Sequence, residues 1–344
     1  GMHVPSTVLT NFDLEKLVET SDEWIRSRTG IRERRVAAPG TSCSELAYKA
    51  GVEALKRARL DPRDLELLIV ATTTPDMLFP STSCLVQQRL GATSAVCFDL
   101  GAACSGSVFA MITAQQFLLT GRYRNALVIG AEMLSSFIDW TDRSTCILFG
   151  DGAGACVMAP VKRGGILATD MGSDGTGAEL LCMPGGGSKY PPSHHSVDQR
   201  LHFLRMNGGE VFKVAVRRMA DSAKQVIKEA KLTPRHIECF IPHQANIRII
   251  EAVAKWASLP IEKVYMNLQR WRWWSCPRRL FDSRGCRCGS QKDSNRECRE
   301  ETNGANTPGI HSCHSHIRVI RAESFLSVQF NTSIRAAAIS AGVG

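Results

Sequence analysis

The sequence predicts an α/β fold made of two related halves, in which parallel-rich sheets are covered by helices. Residues 58–69 (ARLDPRDLELLI) match residues 230–241 (AKLTPRHIECFI) without a gap, at a constant offset of 172 positions (58 to 230). In each copy a helical pattern ends, a proline turn follows, and a short apolar run is typical of a buried strand. Strand-like and helical segments alternate in both halves, which favours parallel strands joined by helices.

The first half contains four strand-like runs, at 66–72, 95–99, 125–131 and 155–159. Ser42 and Glu45 have the spacing of a capping box, which predicts a helix start. The helix that follows places apolar residues on one face, at positions 46, 50, 54 and 58.

The second half repeats this order. Apolar residues at helical spacing from 212 to 230 predict a long helix, and strand-like runs follow at 237–241 and 263–267. A Gly/Pro-rich stretch at 183–192 predicts an exposed loop. We therefore divide the chain into one half at 1–160 and a second at 161–270.

The pattern stops at Arg270. Residues 271–344 show no helix or strand period and are rich in Arg, Cys, Ser and Asn. We interpret this segment as an aberrant or disordered tail that leaves the second half incomplete, of the kind that a reading-frame shift produces.

Bulk composition is that of a globular protein, with 344 residues, 44% of them hydrophobic and 22% charged. No apolar run approaches the roughly 18 residues that span a bilayer, and the N-terminus shows no export signal. These features predict a soluble, cytoplasmic protein without a membrane partner.

The net charge of +9 is concentrated at the C-terminal end, where residues 271–344 carry five of the nine charges. No helical or aromatic-interleaved basic motif accompanies that charge, so we predict no nucleic-acid partner. The mildly basic body suits acidic small molecules or an acidic protein partner.

The thirteen cysteines are scattered, and those of residues 1–270 lie mostly in apolar segments, which predicts reduced, buried thiols. The tail contains the spacing Cys286-x-Cys288 but no second paired spacing of the kind that zinc sites use. We predict no metal site.

Cys104 is a candidate nucleophile because it follows an apolar strand, lies among small residues and precedes a helix. A helix start lowers the pKa of a thiol through its dipole and its unbonded backbone N–H groups. A buried structural cysteine is the more common outcome for a lone cysteine in such a turn.

His243 is a second candidate because it lies just after the strand-like run of the second repeat. The carboxyl ends of strands in doubly wound folds are where active sites collect. A loop histidine with only a local hydrogen bond explains the pattern equally well.

Seven segments together resemble the type III ketoacyl synthases of the thiolase superfamily, over about residues 1–270: DLEK (13–16), TSDEWI (20–25), RTGIRERR (28–35), AACSG (102–106), FGDGAGA (149–155), EVFK (210–213) and PHQAN (242–246). The resemblance implies a duplicated thiolase-like fold in an αβαβα layered arrangement. It also implies that an acyl-coenzyme A starter, expected to be acetyl-coenzyme A, condenses with malonyl-acyl-carrier protein to start fatty-acid synthesis.

The resemblance assigns roles to individual residues. Cys104 takes the acyl group, and His243 and an asparagine stabilise the enolate formed by decarboxylation. The remaining matched positions are those for coenzyme A (Trp24, Arg28, Arg143), carrier-protein docking (Lys213, Arg248) and the acyl pocket near a dimer contact (Phe79). Coenzyme A enters as a substrate thioester, no cofactor is required, and the enzyme is a homodimer.

One family feature is missing. The family's asparagine lies in a Gly-Asn-x-Ser-Ala motif, where this chain has WRWWS at 271–275. Two alternatives therefore stand beside fatty-acid initiation: a secondary-metabolite condensing enzyme of the same superfamily, and a non-catalytic remnant.

Two motifs are interpreted as structural. Residues 150–155 fit the dinucleotide pattern G-x-G-x-x-A but run into a strand-like segment instead of a helix. His194 and His195 lie in a polar stretch and are expected to be exposed to solvent.

Overall fold

The computed structural model describes residues 1–162 and 164–269. The strands are β1 (Met2–His3), β2 (Val8–Thr10), β3 (Glu33–Arg35), β4 (Leu67–Ala71), β5 (Val96–Leu100), β6 (Ala126–Met133), β7 (Asp151–Met158), β8 (Leu181–Cys182) and β9 (Arg205–Met206). The helices are α1 (Asn11–Leu14), α2 (Asp22–Thr29), α3 (Cys43–Ala58), α4 (Thr82–Leu90), α5 (Gly106–Leu119), α6 (Arg143–Cys146), α7 (His194–Asp198), α8 (Gly208–Glu229) and α9 (Ile247–Trp256).

A five-stranded sheet in the order β1-β7-β6-β4-β5 forms the first half. β4 pairs in parallel with β5 and β6, whereas β7 is antiparallel to both β6 and β1. The strands predicted at 66–72, 95–99 and 125–131 are confirmed as β4, β5 and β6. The run predicted at 155–159 lies within β7, which starts earlier, at Asp151.

The two faces of this sheet pack against different helices. Leu68 and Val70 of β4 belong to an apolar cluster with α3, whereas Leu67 and Ile69 belong to a cluster with α5. Because successive strand residues point to opposite faces, a strand covered on both faces must be apolar throughout, and all five residues of β4 are buried. Each such leucine stabilises the fold by about 1.5–3 kcal/mol.

Helix α5 lies in the middle of the packing. Its buried residues share one apolar cluster with the β4 and β6 face and with residues of α8 and α9, so this cluster includes residues of both halves. We call this the central cluster. Such layering of helix, sheet and helix is the arrangement that the sequence predicts.

Helix α3 begins as the capping pattern predicts, with the Ser42 hydroxyl accepting a hydrogen bond from the backbone N–H of Glu45 at 3.2 Å. The Glu45 carboxylate pairs with Lys49 at 2.6 Å. Positions 46, 50 and 54 of the predicted apolar face are buried, but Ala58 at the end of the helix is exposed.

The two copies of the internal repeat also share their backbone conformation. Arg59 and Lys231, which occupy matching positions, both adopt left-handed backbone, at φ 55° and 57°. Matching 3₁₀ turns follow, at Pro62–Asp64 and Pro234–His236. Identical departures from regular helix at matched positions confirm that the two halves are related.

The second pair of predicted strands, 237–241 and 263–267, is only partly formed. Phe240 and Val264 make one isolated parallel bridge, in which the N–H of Phe240 donates to the carbonyl of Lys263 at 2.8 Å. β4, the counterpart of 237–241, is held from both sides by β5 and β6. The position that matches β6 by the 172-residue offset lies beyond residue 269. Within the described residues, the pairing of 237–241 with 263–267 is therefore limited to the single bridge between Phe240 and Val264.

The dinucleotide-like pattern and the two neighbouring histidines lie where the sequence analysis expects them. Residues 151–155 of the dinucleotide-like pattern lie in β7, where the buried Asp151 carboxylate accepts hydrogen bonds from the N–H of Ala37 (2.7 Å) and the hydroxyl of Ser135 (2.6 Å). His194 and His195 are exposed, in the short helix α7 that follows the predicted loop.

The boundary near residue 160 stays a prediction, and the prediction of an aberrant tail at 271–344 concerns residues outside the described ranges. None of the helices in those ranges is long and apolar enough to cross a membrane.

Candidate active site

Cys104 lies in a sharp turn between strand and helix. β5 ends at Leu100, a 3₁₀ turn covers Ala103–Ser105, and α5 starts at Gly106. Ala103 adopts left-handed backbone, at φ 50°. Such a conformation costs a residue with a Cβ on the order of 1–3 kcal/mol and is found mostly where function fixes the geometry.

The Cys104 side chain is fully buried in the central cluster. Its position two residues before a helix of 14 residues, next to the N-cap Ser105, is one that favours a thiolate. The two glycines near Cys104 differ in their surroundings. A Cβ on Gly106 would lie 3.1 Å from the Cβ of Ala71 on β4. A Cβ on Gly101 would meet open space. The glycine at 106 is therefore required for packing, and the one at 101 leaves room near the turn.

Two other buried cysteines differ from Cys104 in placement. Burial raises the pKa of Cys146 to about 11 and that of Cys156 to about 12. Cys146 ends the short helix α6, and Cys156 lies inside β7. Neither precedes a helix, so both are neutral, inert thiols at pH 7.

His243 is 9% exposed and lies in the loop that leads into α9. The end of that loop is fixed by Asn246, whose side-chain oxygen accepts the backbone N–H of Ile249 at 2.8 Å and so caps the helix. The sequence motif thus supplies both a titratable side chain and the helix cap that holds its loop.

Gln244, to which the sequence analysis gives no role, holds the other side of the loop. Its amide nitrogen donates to the carbonyls of Pro242 (2.9 Å) and Tyr265 (3.1 Å), and its oxygen accepts the N–H of Asn267 (3.0 Å). In the sequence, only its place in the PHQAN motif pointed to a role for Gln244. Its partners Tyr265 and Asn267 are 21 and 23 residues away in the chain, so local spacing does not reveal them.

The cysteine turn and the histidine loop border the same apolar cluster. Cys104 is a buried member of the central cluster, and Ala245, two residues after His243, packs against it. Ile249 and Val253 of α9 are members too. Each half therefore contributes one candidate residue in or beside the central cluster.

Trp24, Arg28 and Arg143 are brought together as well. The guanidinium carbons of both arginines lie 4.9 Å from the centre of a Trp24 ring. Arg28 reaches the ring from one helical turn away on α2, whereas Arg143 comes from α6 and also donates to the carbonyl of Glu19 at 2.8 Å. A flat ring beside two cations can hold a heterocyclic base and phosphates.

Helix α2, which carries Trp24 and Arg28, meets helix α9, which follows the His243 loop. α2 ends at Thr29 and is capped by Gly30, whose φ is 77°. A Cβ at Gly30 would lie 3.1 Å from the Cβ of Ile247, the first residue of α9. The absence of a side chain at Gly30 lets the two helix ends meet. His243 precedes Ile247 by four residues, so the C-terminal end of α2 lies close to the helix that the histidine loop leads into.

Lys213 and Arg248 lie exposed on α8 and α9, respectively. The Arg248 guanidinium lies 5.7 Å from the ring centre of Phe212, which directly precedes Lys213. The Lys213 ammonium pairs with the Glu210 carboxylate at 2.7 Å, a partner that the sequence analysis did not identify. Two neighbouring cations form a basic surface, partly neutralised by one carboxylate.

Comparison with known proteins identifies the family. The profile described as 3-oxoacyl-[acyl-carrier-protein] synthase III matches residues 98–175, and its C-terminal counterpart matches 227–271. A β-ketoacyl-[acyl-carrier-protein] synthase III of Caldanaerobacter subterraneus subsp. tengcongensis is 54% identical over 272 residues, which are 79% of this chain and 82% of the relative. The chain belongs to the β-ketoacyl-acyl-carrier-protein synthase III family.

Solved structures of β-ketoacyl-acyl-carrier-protein synthase III share this fold. The enzyme from Aquifex aeolicus superposes with a TM-score of 0.73 at 47% identity, covering 79% of this chain and 83% of that one. A priming β-ketosynthase of a polyketide biosynthetic pathway superposes with a TM-score of 0.72 at 34% identity, covering 78% and 79%. The duplicated thiolase-like fold is thereby confirmed.

Phe79, which the sequence analysis places at an acyl pocket near a dimer contact, lies on the surface of the chain. It is 83% exposed and follows Leu78, which is 82% exposed, and Met77, which is 48% exposed. A single chain therefore does not enclose Phe79, and a pocket there requires a second molecule to cover it.

Among the described residues of this synthase, no group of three or more His, Cys, Asp or Glu side chains is arranged to hold a metal ion. The tail residues Cys286 and Cys288 lie outside the described ranges.

Proposed function

We propose that this chain condenses an acyl-coenzyme A starter, acetyl-coenzyme A, with malonyl-acyl-carrier protein to give a 3-ketoacyl-carrier protein, the first condensation of fatty-acid synthesis. The observation that carries the proposal is the placement of Cys104 at the head of a buried helix, beside a cluster that the His243 loop also borders.

The first half-reaction transfers the acyl group. The Cys104 thiolate attacks the thioester carbonyl, a tetrahedral intermediate forms, and coenzyme A leaves as its own thiolate. Sulfur suits this role because it attacks readily and leaves again in the next step. The backbone N–H groups at the start of α5 favour negative charge at this point.

Coenzyme A binds where Trp24, Arg28 and Arg143 meet. The Trp24 ring offers a flat face for the adenine, and the two guanidinium groups pair with phosphate oxygens. Because α2 abuts α9, a coenzyme bound here directs its thioester toward the cysteine turn and the histidine loop.

The second half-reaction forms the carbon–carbon bond. Malonyl-carrier protein loses carbon dioxide, and the electron pair of the broken bond moves into an enolate whose oxygen accepts a hydrogen bond from His243. The enolate carbon attacks the acyl carbon on Cys104, and the thiolate leaves. Donors fixed at a developing oxyanion contribute about 2.7–4 kcal/mol each.

The carrier protein docks on the basic surface formed by Lys213 and Arg248. An acidic partner is attracted over distances of about a Debye length, roughly 8 Å at physiological salt. The attraction steers encounter more than it adds affinity.

The exposed segment Met77–Phe79 supports a homodimer, because apolar side chains of this size are covered by protein in most assemblies. Phe79 then completes the acyl pocket at that contact.

No cofactor takes part, since coenzyme A is consumed as a thioester. A reduced Cys104 is required for acylation, which suits the cytoplasm.

Measuring the two half-reactions separately tests the proposal. Incubation with labelled acetyl-coenzyme A should label Cys104, and release of labelled carbon dioxide from malonyl-carrier protein should depend on His243. His243→Ala should keep most acylation and lose about 10²–10³ in carbon dioxide release, whereas the exposed His195→Ala should change neither. Equal loss of both half-reactions in His243→Ala would assign His243 to activating Cys104 instead.

The same test separates the alternatives. The likeness to a polyketide priming synthase favours a secondary-metabolite enzyme as second candidate, and preference for a polyketide carrier protein over the fatty-acid carrier would establish it. A chain that is acylated but releases no carbon dioxide would be a remnant, since the family's asparagine is replaced within 271–275.

A further inference from the structure

Two cysteines that take no part in the proposed reaction face each other. Cys84 lies on α4 and Cys97 on β5, and their sulfur atoms are 3.4 Å apart. Both side chains are partly exposed, unlike Cys43, which is buried. A disulfide has a sulfur–sulfur distance of about 2.05 Å, so the pair must approach by a little over 1 Å to form a bond.

The elements carrying the two thiols are already held against each other. The carboxylate of Asp99, two residues after Cys97 on β5, accepts the backbone N–H groups of Thr82 and Ser83 at the start of α4, each at 2.7 Å. A second contact comes from Ser81, whose hydroxyl donates to the sulfur of Cys84 at 3.1 Å. The two thiols therefore stay adjacent without any large movement of the chain.

We propose that Cys84 and Cys97 form a redox modification site, which closes to an intrachain disulfide when the protein meets a hydroperoxide. The site is separate from the acylation chemistry at Cys104 and does not depend on the proposed function.

The reaction balances with one oxidant molecule. Hydrogen peroxide oxidises the Cys84 thiol to a sulfenic acid, and the peroxide O–O bond breaks with release of water. Burial and the neighbouring Cys84 raise the pKa of Cys97 to about 11, so Cys97 acts in the second step, at short range. The second sulfur attacks the sulfenic sulfur, an S–S bond forms, the S–O bond breaks, and the hydroxide leaves with the remaining proton as a second water. Two thiols lose two electrons in total, and a thiol reductant reverses the step.

Closure joins α4 covalently to the edge strand of the sheet. β5 is paired on one side only within the described sheet, with β4, and it leads directly into the Cys104 turn. A disulfide that closes a short loop stabilises the folded state mainly by restricting the unfolded chain. Oxidation is therefore expected to make the first half harder to unfold.

Peptide mapping tests the proposal on the whole chain. After peroxide treatment and alkylation of remaining thiols, cleavage before aspartate releases fragment 76–98, which contains Cys84 and Cys97 and no other cysteine, while Cys104 lies in the next fragment. We expect fragment 76–98 to lose two hydrogens and take up no alkyl group. A further cut after Arg89 should leave its two parts joined.

Variants provide the controls. Cys97→Ala should form no link within fragment 76–98, with Cys84 recovered as the alkylated thiol or as an oxygen adduct, whereas Cys182→Ala, which removes another partly exposed thiol, should form the disulfide as the unchanged protein does. The melting temperature should rise by several degrees on oxidation in the unchanged protein and in Cys182→Ala, but not in Cys97→Ala. Alkylation of both cysteines after peroxide treatment, or a link from either to Cys104 or to a second chain, would overturn the proposal.

Discussion

The side-chain oxygen of Gln244 accepts the backbone N–H of Asn267 at 3.0 Å, while its amide nitrogen donates to the carbonyl of Tyr265 at 3.1 Å. One side chain therefore ties the loop of His243 to a segment more than twenty residues later. Gln244 is only 6% exposed, so water cannot readily replace these hydrogen bonds.

Replacing Gln244 should lower the rate of decarboxylation without affecting acyl transfer. Gln244→Ala removes three hydrogen bonds and should cost about 1–3 kcal/mol of unfolding free energy. We expect carbon dioxide release to fall about 10-fold, the equivalent of about 1.4 kcal/mol, because the histidine loop loses its anchor. Denaturant unfolding and the two half-reactions measure these effects.

Gln244→Glu separates the role of the two amide donors from that of the amide acceptor. It keeps the acceptor for Asn267 but loses both donors, so its decarboxylation should also be impaired. Gln225→Ala is the control, since that amide is partly exposed and pairs with Glu229 on its own helix at 2.6 Å. Parallel losses of acylation and decarboxylation in the Gln244 variants would contradict a positioning role.

Removal of the Cys104 thiol should abolish acyl labelling. Cys104→Ala leaves the turn and its left-handed Ala103 in place, so folding should be preserved while incorporation of label from acetyl-coenzyme A is lost. Cys146→Ala is the matched control, because Cys146 belongs to the same central cluster. Label persisting on another cysteine in Cys104→Ala, detected by peptide mapping, would refute the assignment.

Much of this site could be predicted from sequence because its determinants are local. The strand–turn–helix around Cys104 and the loop before α9 each lie within a few consecutive residues, and the 172-residue offset relates the two halves. The role of Gln244 could not be predicted, since hydrogen bonds to distant backbone groups leave no trace in local spacing. The exposure of Phe79 likewise depends on packing across the whole first half.

Loss of the Trp24 ring should weaken binding of acyl-coenzyme A. Trp24→Ala removes the face on which Arg28 and Arg143 stack, and cation–π contacts at partly exposed sites contribute about 0.5–2 kcal/mol. We expect KM for acetyl-coenzyme A to rise roughly 10-fold, in line with about 1.4 kcal/mol of binding energy. The maximal acylation rate at saturation should be nearly unchanged.

Steady-state acylation kinetics measure this effect. Arg89→Ala serves as the control because it disrupts a comparable stack, 4.6 Å over Tyr48, elsewhere on the molecule. An equal rise in KM for both variants would indicate a general effect on the fold instead of a coenzyme site.

Charge reversal on the basic surface should selectively weaken binding of the carrier protein. Lys213→Glu and Arg248→Glu should raise KM for malonyl-carrier protein, with a steep dependence on salt, and leave acetyl-coenzyme A kinetics unchanged. Lys228→Glu, on the same helix but about 22 Å along its axis, should have little effect.

Glu210 provides a converse test of the same surface. Its carboxylate neutralises Lys213, so Glu210→Gln should lower KM for the carrier protein at low salt. A KM that is independent of salt in all of these variants would exclude electrostatic docking at this surface.

The central cluster has a consequence for how the protein is made, because its members lie far apart in the chain. Helix α5 ends at Leu119, but the α9 members of the cluster begin only at Ile249. At about 5–20 residues per second, a ribosome leaves the cluster incomplete for on the order of 10 s. During that interval the nascent chain presents a surface suited to a chaperone, and faster translation of this stretch should reduce aggregation of the newly made protein.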